Sequence, residues 1–218
     1  MVTNNFNRDM RAEEELANYL AEYYYPRMGA DNFQRCTDIN QQLSGIDVIV
    51  KRNNQILLID EKGLLSKLKP IRTFALELLY KKNGILKLGW LFDDAKTTTH
   101  YLLTWVKRDE VDLNVFKEEN LHYALVMLVN RNKLLKYLES EYGITKDSAY
   151  KKALRIIEVG EGGSLEKLSE KSSSKYFYSN QLPEQPVNII FDKNDFLESG
   201  AIEDYQIVKR SGLADPKI

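Results

Sequence analysis

Cys36 is the only cysteine in the 218 residues, which excludes an intramolecular disulfide and a cysteine-rich zinc module and fits a reducing compartment. His100 and His122 are the only histidines, too few to build a histidine-rich zinc site. No run approaches the ~20 apolar residues of a membrane span, and the opening Met-Val-Thr-Asn-Asn-Phe-Asn-Arg-Asp lacks the pattern of a signal peptide. The expected location is therefore the cytoplasm. Charge of one sign is also missing: 31 basic residues against 32 acidic give a net charge of −1, which argues against a protein that coats nucleic acid without specificity. The glycine-rich run at Gly160 has neither the Lys-Ser/Thr of a phosphate-binding loop nor GxGxxG spacing. There is no GxSxG elbow and no internal repeat.

What the chain does contain is a hairpin with acids at its open end. Val48-Ile49-Val50-Lys51-Arg52 and Gln55-Ile56-Leu57-Leu58-Ile59 flank Asn53 and Asn54, two residues that tolerate the positive φ of a two-residue turn. That turn sets the register: Arg52 faces Gln55, Val50 faces Leu57, Val48 faces Ile59, and Asp47 faces Asp60. Directly opposed residues have Cβ atoms about 4.5–5.5 Å apart, close enough for two carboxylates to share one cation. Lys62 lies two residues past Asp60 and so on the same face, while Glu61 points to the other.

Two such carboxylates repel, and a divalent ion removes the repulsion. Mg²⁺, or Mn²⁺ in its place, prefers oxygen, keeps several waters and takes one or two carboxylates plus phosphate oxygens. Such an ion makes a bound water a better nucleophile and polarises a phosphoryl oxygen. Lys62 adds a point charge to orient or help deprotonate that water, or to stabilise charge developing on phosphate. The bland alternative is a solvated hairpin end carrying an ion pair of little energetic worth.

At Gly45-Ile46-Asp47-Val48 and Ile59-Asp60-Glu61-Lys62-Gly63 the chain resembles the PD-(D/E)XK phosphodiesterase superfamily, although the proline of the signature's name is absent. The resemblance covers roughly Glu13 to Trp105. It implies that Asp47 and Asp60 are metal ligands, the Glu61 backbone carbonyl a third, and Lys62 the catalytic lysine. It also implies a glutamate from an N-terminal helix, for which Glu15 is preferred over Glu13. The expected fold is α+β, a central mixed sheet flanked by helices in a restriction-endonuclease-like core with a C-terminal extension.

Around this site, Arg11 to Tyr25 has helical spacing, with Ala12, Leu16, Tyr19, Leu20 and Tyr23 as its apolar stripe and Asp9 as a candidate cap. Glu13, Glu14 and Glu15 would then open the helix, where its dipole favours acids. Pro70 to Lys82 is predicted helical, with Phe74 and Leu78 inward, and Leu86–Phe92 and His100–Lys107 are predicted to form a second hairpin. Further on, a strand is expected over Leu121–Val129, helices over Asn132–Tyr142 and Thr145–Val159, and a late strand over Val187–Phe191. Ser169 to Lys175 is polar and serine-rich, the composition of a mobile loop. The division expected is a nuclease-like core over 1–110, with 111–218 continuing the core and adding an α/β extension of unknown role, or else one single domain.

From Lys62 to Lys87 seven basic residues face one acid, Glu77, so Lys67, Lys69, Arg72, Lys81 and Lys82 are candidates for nucleic-acid contact or an ordinary solvated face. The function these features favour is a metal-dependent nuclease acting on DNA, with a homodimer as an expectation of the resemblance. The alternative is a non-catalytic domain of the same fold that binds nucleic acid or a protein partner.

Overall fold

In the computed structural model the described residues are 2–110 and 112–216, with side chains from residue 7 onward. Helix α1 (Val2–Tyr23) precedes strand β1 (Asn32–Arg35), a short helix α2 (Ile39–Leu43) and strands β2 (Val48–Arg52) and β3 (Gln55–Leu64). Next come β4 (Thr73–Lys82), β5 (Ile85–Leu88), β6 (His100–Arg108) and β7 (Leu121–Asn130). Helices α3 (Arg131–Tyr142) and α4 (Lys146–Val159) lead into β8 (Gly163–Lys167), β9 (Lys175–Tyr178) and β10 (Val187–Asp192). Helix α5 (Lys193–Glu198), β11 (Ile202–Lys209) and β12 (Gly212–Ala214) follow. The fold is mixed α+β, and no helix among the described residues is long and apolar enough to cross a membrane.

The chain forms two compact units. One comprises Met1–Ile71, Thr97–Asn130 and Ile202–Ile218, the other Arg72–Lys96 and Arg131–Ala201. Val111, on the division expected at 110, lies outside the described residues, but the residues on both sides of it belong to the first unit.

The first unit is built on a curled mixed sheet of order β1-β2-β3-β6-β7-β11-β12. Only the β3–β6 pairing is parallel. Parallel neighbours need a long crossover, and here the chain leaves β3, contributes β4 and β5 to the second unit, and returns at Thr97. The returning segment is tied to the hairpin: Thr97 N–H donates to Ser44 O at 3.0 Å, the Thr98 hydroxyl to Gly45 O at 2.6 Å, and Thr99 N–H to Leu58 O at 2.9 Å. Residues 93–99 are therefore a crossover return, and β5 pairs with β4 while β6 pairs with β3 and β7; the second hairpin expected there does not form.

Helix α1 supplies the expected stripe, burying Ala12, Leu16, Tyr19 and Leu20 in one cluster with Val48, Val50, Leu57, Ile59, Leu102 and Val126. It starts well before Asp9, which is mid-helix and hydrogen-bonded to Arg8, so Asp9 is not the cap and the three glutamates do not occupy the first turn. Pro26 sits in the 3-10 turn Tyr25–Arg27 that ends the helix.

The second unit has a five-stranded sheet of order β5-β4-β10-β9-β8. Its interior strand β4 occupies the region predicted helical. Phe74 and Leu78, four apart, satisfy a helix face and a strand face equally; buried Leu76 between them fits only the strand period of two. Strands β7 and β10 and helices α3 and α4 form where expected, with Thr145 capping α4 and Gly160 ending it at φ 77°. The serine-rich segment is ordered by burial. Ser172 and Ser174 both donate to the buried Asp195 carboxylate, and Ser174 Oγ accepts from Asp192 N–H at 2.8 Å. Polarity there serves an internal hydrogen-bond network, which composition does not distinguish from a solvated loop.

Gly63, directly after Lys62, lies against α1. A Cβ built there would stand 2.7 Å from Leu16 Cδ2. Gly63→Ala is expected to cost about 1–3 kcal/mol through overpacking, and the cost should shrink in a Leu16→Ala background. Additive losses in denaturant melts of the two single variants and the double variant would show that Leu16 is not the obstacle.

Candidate functional site

The hairpin register agrees with the turn chemistry. Asn53 and Asn54 adopt φ values of 51° and 62°, and Arg52–Gln55, Lys51–Ile56, Val50–Leu57, Ile49–Leu58 and Val48–Ile59 are partners. Asp47 follows one step beyond, its N–H donating to Ile59 O at 2.9 Å and its carbonyl accepting from Cys36 N–H at 2.8 Å. The chain is delivered to this point by α2, whose N-cap Asp38 accepts from Asn40 and Gln41 N–H, and by Gly45 in the left-handed region at φ 74°.

The Asp47 side chain crosses to β3, where its Oδ2 accepts from Glu61 N–H at 2.8 Å. In a regular strand the N–H and C=O of one residue point to the same edge, so the Glu61 carbonyl faces the same gap beyond the end of β2. Asp60 is 3% exposed, and Lys62 Nζ donates to its Oδ1 at 2.5 Å. Burial pushes the Asp60 carboxyl up to about 6; Lys62 opposes the rise, and the neighbouring Asp47 adds to it. Burial by itself pulls the Lys62 ammonium down, but Asp60, then Asp47 and Glu13, carry it above the ordinary lysine value. These acidic neighbours favour the charged form of Lys62.

Of the two α1 acids, Glu13 is the one that interacts electrostatically with Lys62 and Asp47, although it is exposed. Its carboxyl is raised first by partial desolvation, with Lys62 opposing and Asp9 and Asp47 adding repulsion. Glu15, preferred from sequence, is turned elsewhere: its Oε2 accepts from Glu118 N–H at 3.0 Å. Two positions on a helix differ by about 200° in direction, and the apolar stripe alone did not say which border faces the hairpin end. The side chain of Glu61 lies on the opposite face of β3 from Lys62, as alternation requires. There its carboxylate accepts from Tyr25 OH at 2.7 Å and from both Arg35 Nη atoms, at 3.1 and 2.5 Å. No local signal in the sequence singled out Tyr25 or Arg35, because their meeting with Glu61 is a long-range one. Cys36 is buried, and burial, with Asp47 beside it, pushes its thiol up, which disfavours the reactive thiolate.

The candidate basic residues divide between the units. Lys67 and Lys69 are exposed in the first unit; Arg72, Lys81 and Lys82 belong to the second. Arg72 Nε is bonded to the buried Asp192 carboxylate at 2.8 Å and Lys81 Nζ to Gln185 Oε1 at 2.6 Å, while Lys82 is exposed. On α4, Lys146 pairs with Asp94 and Lys152 with Glu166.

Among the described residues no group of three or more His, Cys, Asp or Glu side chains is set to hold a metal ion. The oxygens that could serve as donors here are two carboxylates and one backbone carbonyl. That set suits an ion that keeps much of its water, such as Mg²⁺, and the mutual repulsion of Asp47 and Asp60 is what a cation would relieve.

The raised Asp60 value has a consequence for stability without metal. A carboxyl at about 6 in the fold and near its ordinary value when unfolded weakens folding as pH rises from about 4 to 6, and the cost is complete above 6. With Asn retaining an acceptor for Lys62, Asp60→Asn is expected to stabilise the metal-free protein by about 1–3 kcal/mol at pH 7.5 and by almost nothing at pH 4. Chemical denaturation at both pH values measures this; an equal effect at the two would contradict the assigned ionisation.

Comparison with protein-family models, curated proteins and solved structures returns no match, so the reading of this site rests on its own residues and geometry.

Proposed function

We propose that the protein is a metal-dependent nuclease of the PD-(D/E)XK type that hydrolyses phosphodiester bonds of DNA. The observation that carries this reading is the meeting of Asp47, Asp60 and Lys62 at one hairpin end, with Asp47 bonded to Glu61 N–H and Lys62 to Asp60. The element order supports it as well: α1, the antiparallel strands β1 to β3, then β6 parallel to β3, an arrangement compatible with a restriction-endonuclease-like core.

Asp47, Asp60 and the Glu61 carbonyl would hold Mg²⁺ or Mn²⁺. When bound, the ion supplies Lewis acidity toward the phosphate and a water that is easier to deprotonate. Asp47, one step before β2, and Asp60, within β3, would fix the position of that chemistry. Lys62, held as a cation by its acidic neighbours, swings from Asp60 to orient the attacking water and to balance negative charge growing on the phosphate. Its side chain is 29% exposed. Lys67 and Lys69, exposed a few residues beyond, would neutralise flanking phosphates.

A second reading takes support from the same contact. Lys62 already compensates Asp60, which would suit a non-catalytic domain that binds nucleic acid or a protein partner. Mutagenesis separates the two. Asp47→Ala, Asp60→Ala and Lys62→Ala are each expected to reduce Mn²⁺-supported cleavage of single-stranded, duplex or branched DNA by on the order of 10²–10³-fold. Calorimetric titration of Mn²⁺ should show binding by wild type and its loss in Asp47→Ala. Cleavage by the alanine variants at the wild-type rate would place the chemistry elsewhere, and absence of both cutting and metal binding would favour the binding domain.

A further inference from the structure

The three donors on Glu61 lie behind the candidate site, on the face of β3 opposite Asp60 and Lys62. Arg35 grips both carboxylate oxygens of Glu61 in a fork, at 3.1 and 2.5 Å, and Tyr25 OH adds a third bond at 2.7 Å. The grip is largely shielded from water, with the Glu61 side chain 12% exposed and that of Arg35 29%. Both partners are themselves braced. The Tyr25 ring stacks on Phe33 of β1 at 5.1 Å, and Arg35 ends the same strand, paired with Val48 next to Asp47. Three elements thus converge on one side chain: the 3-10 turn that follows α1, β1 and β3.

Glu61 is also the residue whose N–H holds Asp47 Oδ2. At this point β2 has ended, and no ladder partner from β2 faces the Glu61 peptide. Its orientation toward Asp47 therefore lacks the usual cross-strand support on that edge. We propose that Arg35 is a positioning residue: by locking the Glu61 side chain from behind, it fixes the peptide group that holds the Asp47 carboxylate. The Arg35 charge also lies near enough to Asp47 for the two to interact favourably. A fork of this kind is specific to guanidinium, since an ammonium carries the same charge without the planar pair of donors. The purpose of this positioning, to present Asp47 to a metal, rests on the nuclease reading; the mechanical link itself does not.

The test uses the full chain with Arg35→Lys, which keeps the charge and loses the fork, and Glu61→Gln, which weakens the grip from the other side. Amide hydrogen exchange followed by NMR well below the melting temperature reports the Glu61 N–H directly. Leu57, in the same strand and paired with Val50, is the control for general loosening. Exchange at Glu61 is expected to quicken about tenfold in each variant while Leu57 keeps its wild-type rate. Mn²⁺ affinity should fall by about tenfold in both, and the double variant should lose little more than either single one. An unchanged Glu61 rate, or equal acceleration at Leu57, would overturn the proposal. Faster Glu61 exchange in variants of a protein that takes up no Mn²⁺ would uphold the link and remove the metal reading. Unchanged exchange in a protein whose Mn²⁺ binding depends on Asp47 would do the reverse.

Discussion

The closeness of the Asp47 and Asp60 carboxylates, one step beyond the last β2–β3 pair Val48–Ile59, is the constraint that the groups at the hairpin end answer to. Burial and the neighbouring Asp47 disfavour the ionised form of Asp60, and the surrounding groups offset that cost. Lys62 closes on Asp60, and Glu61 N–H closes on Asp47. The hydrogen bonds from Thr97, Thr98 and Thr99 tie the returning crossover to the loop before Asp47 and to β3, so the hairpin end is held from several directions. A site that must keep like charges together needs a stiff scaffold, because a flexible one would relax by moving them apart.

The period-two alternation of β3 separates two tasks within five residues. Asp60 and Lys62 face the acidic cluster; Ile59, Glu61 and Gly63 face α1 and its neighbours. Ile59 contributes to the core, Gly63 lets Leu16 approach, and Glu61 carries charge into the helix-covered side only because Arg35 and Tyr25 meet it there. A buried carboxylate without those donors would be costly. The middle residue of the acid-x-lysine triplet is in this way coupled by its side chain to one face and by its backbone to the other.

In the second unit buried acids are met by hydroxyl, backbone and guanidinium donors. Asp195 accepts from two serine hydroxyls, and the buried Asp192 caps α5 and accepts from Arg72. These polar groups satisfy one another inside the unit, which explains how a serine-rich stretch between Ser169 and Lys175 is ordered. Arg72 and Lys81 are likewise engaged with Asp192 and Gln185, so the local excess of basic residues in the sequence does not correspond to one set of unengaged cations.

What the sequence determined by itself was local. Two asparagines that accept positive φ set the turn; the turn set the register as far as Val48–Ile59; that register brought Asp47 near Asp60 and Lys62. The stripe of α1, the strands β7 and β10 and the helices α3 and α4 were legible for the same reason, since each depends on a period within one segment. What only tertiary structure decided depended on distant partners. Phe74 and Leu78 fit either period, and β4 became a strand because β5 and β10 pair with it on its two sides. Glu15 is turned to Glu118 because packing sets the rotation of α1, and Glu61 is held by residues 26 and 36 positions away. Short-range rules fix conformation along a segment, while the meeting of segments is chosen by burial summed over the whole unit.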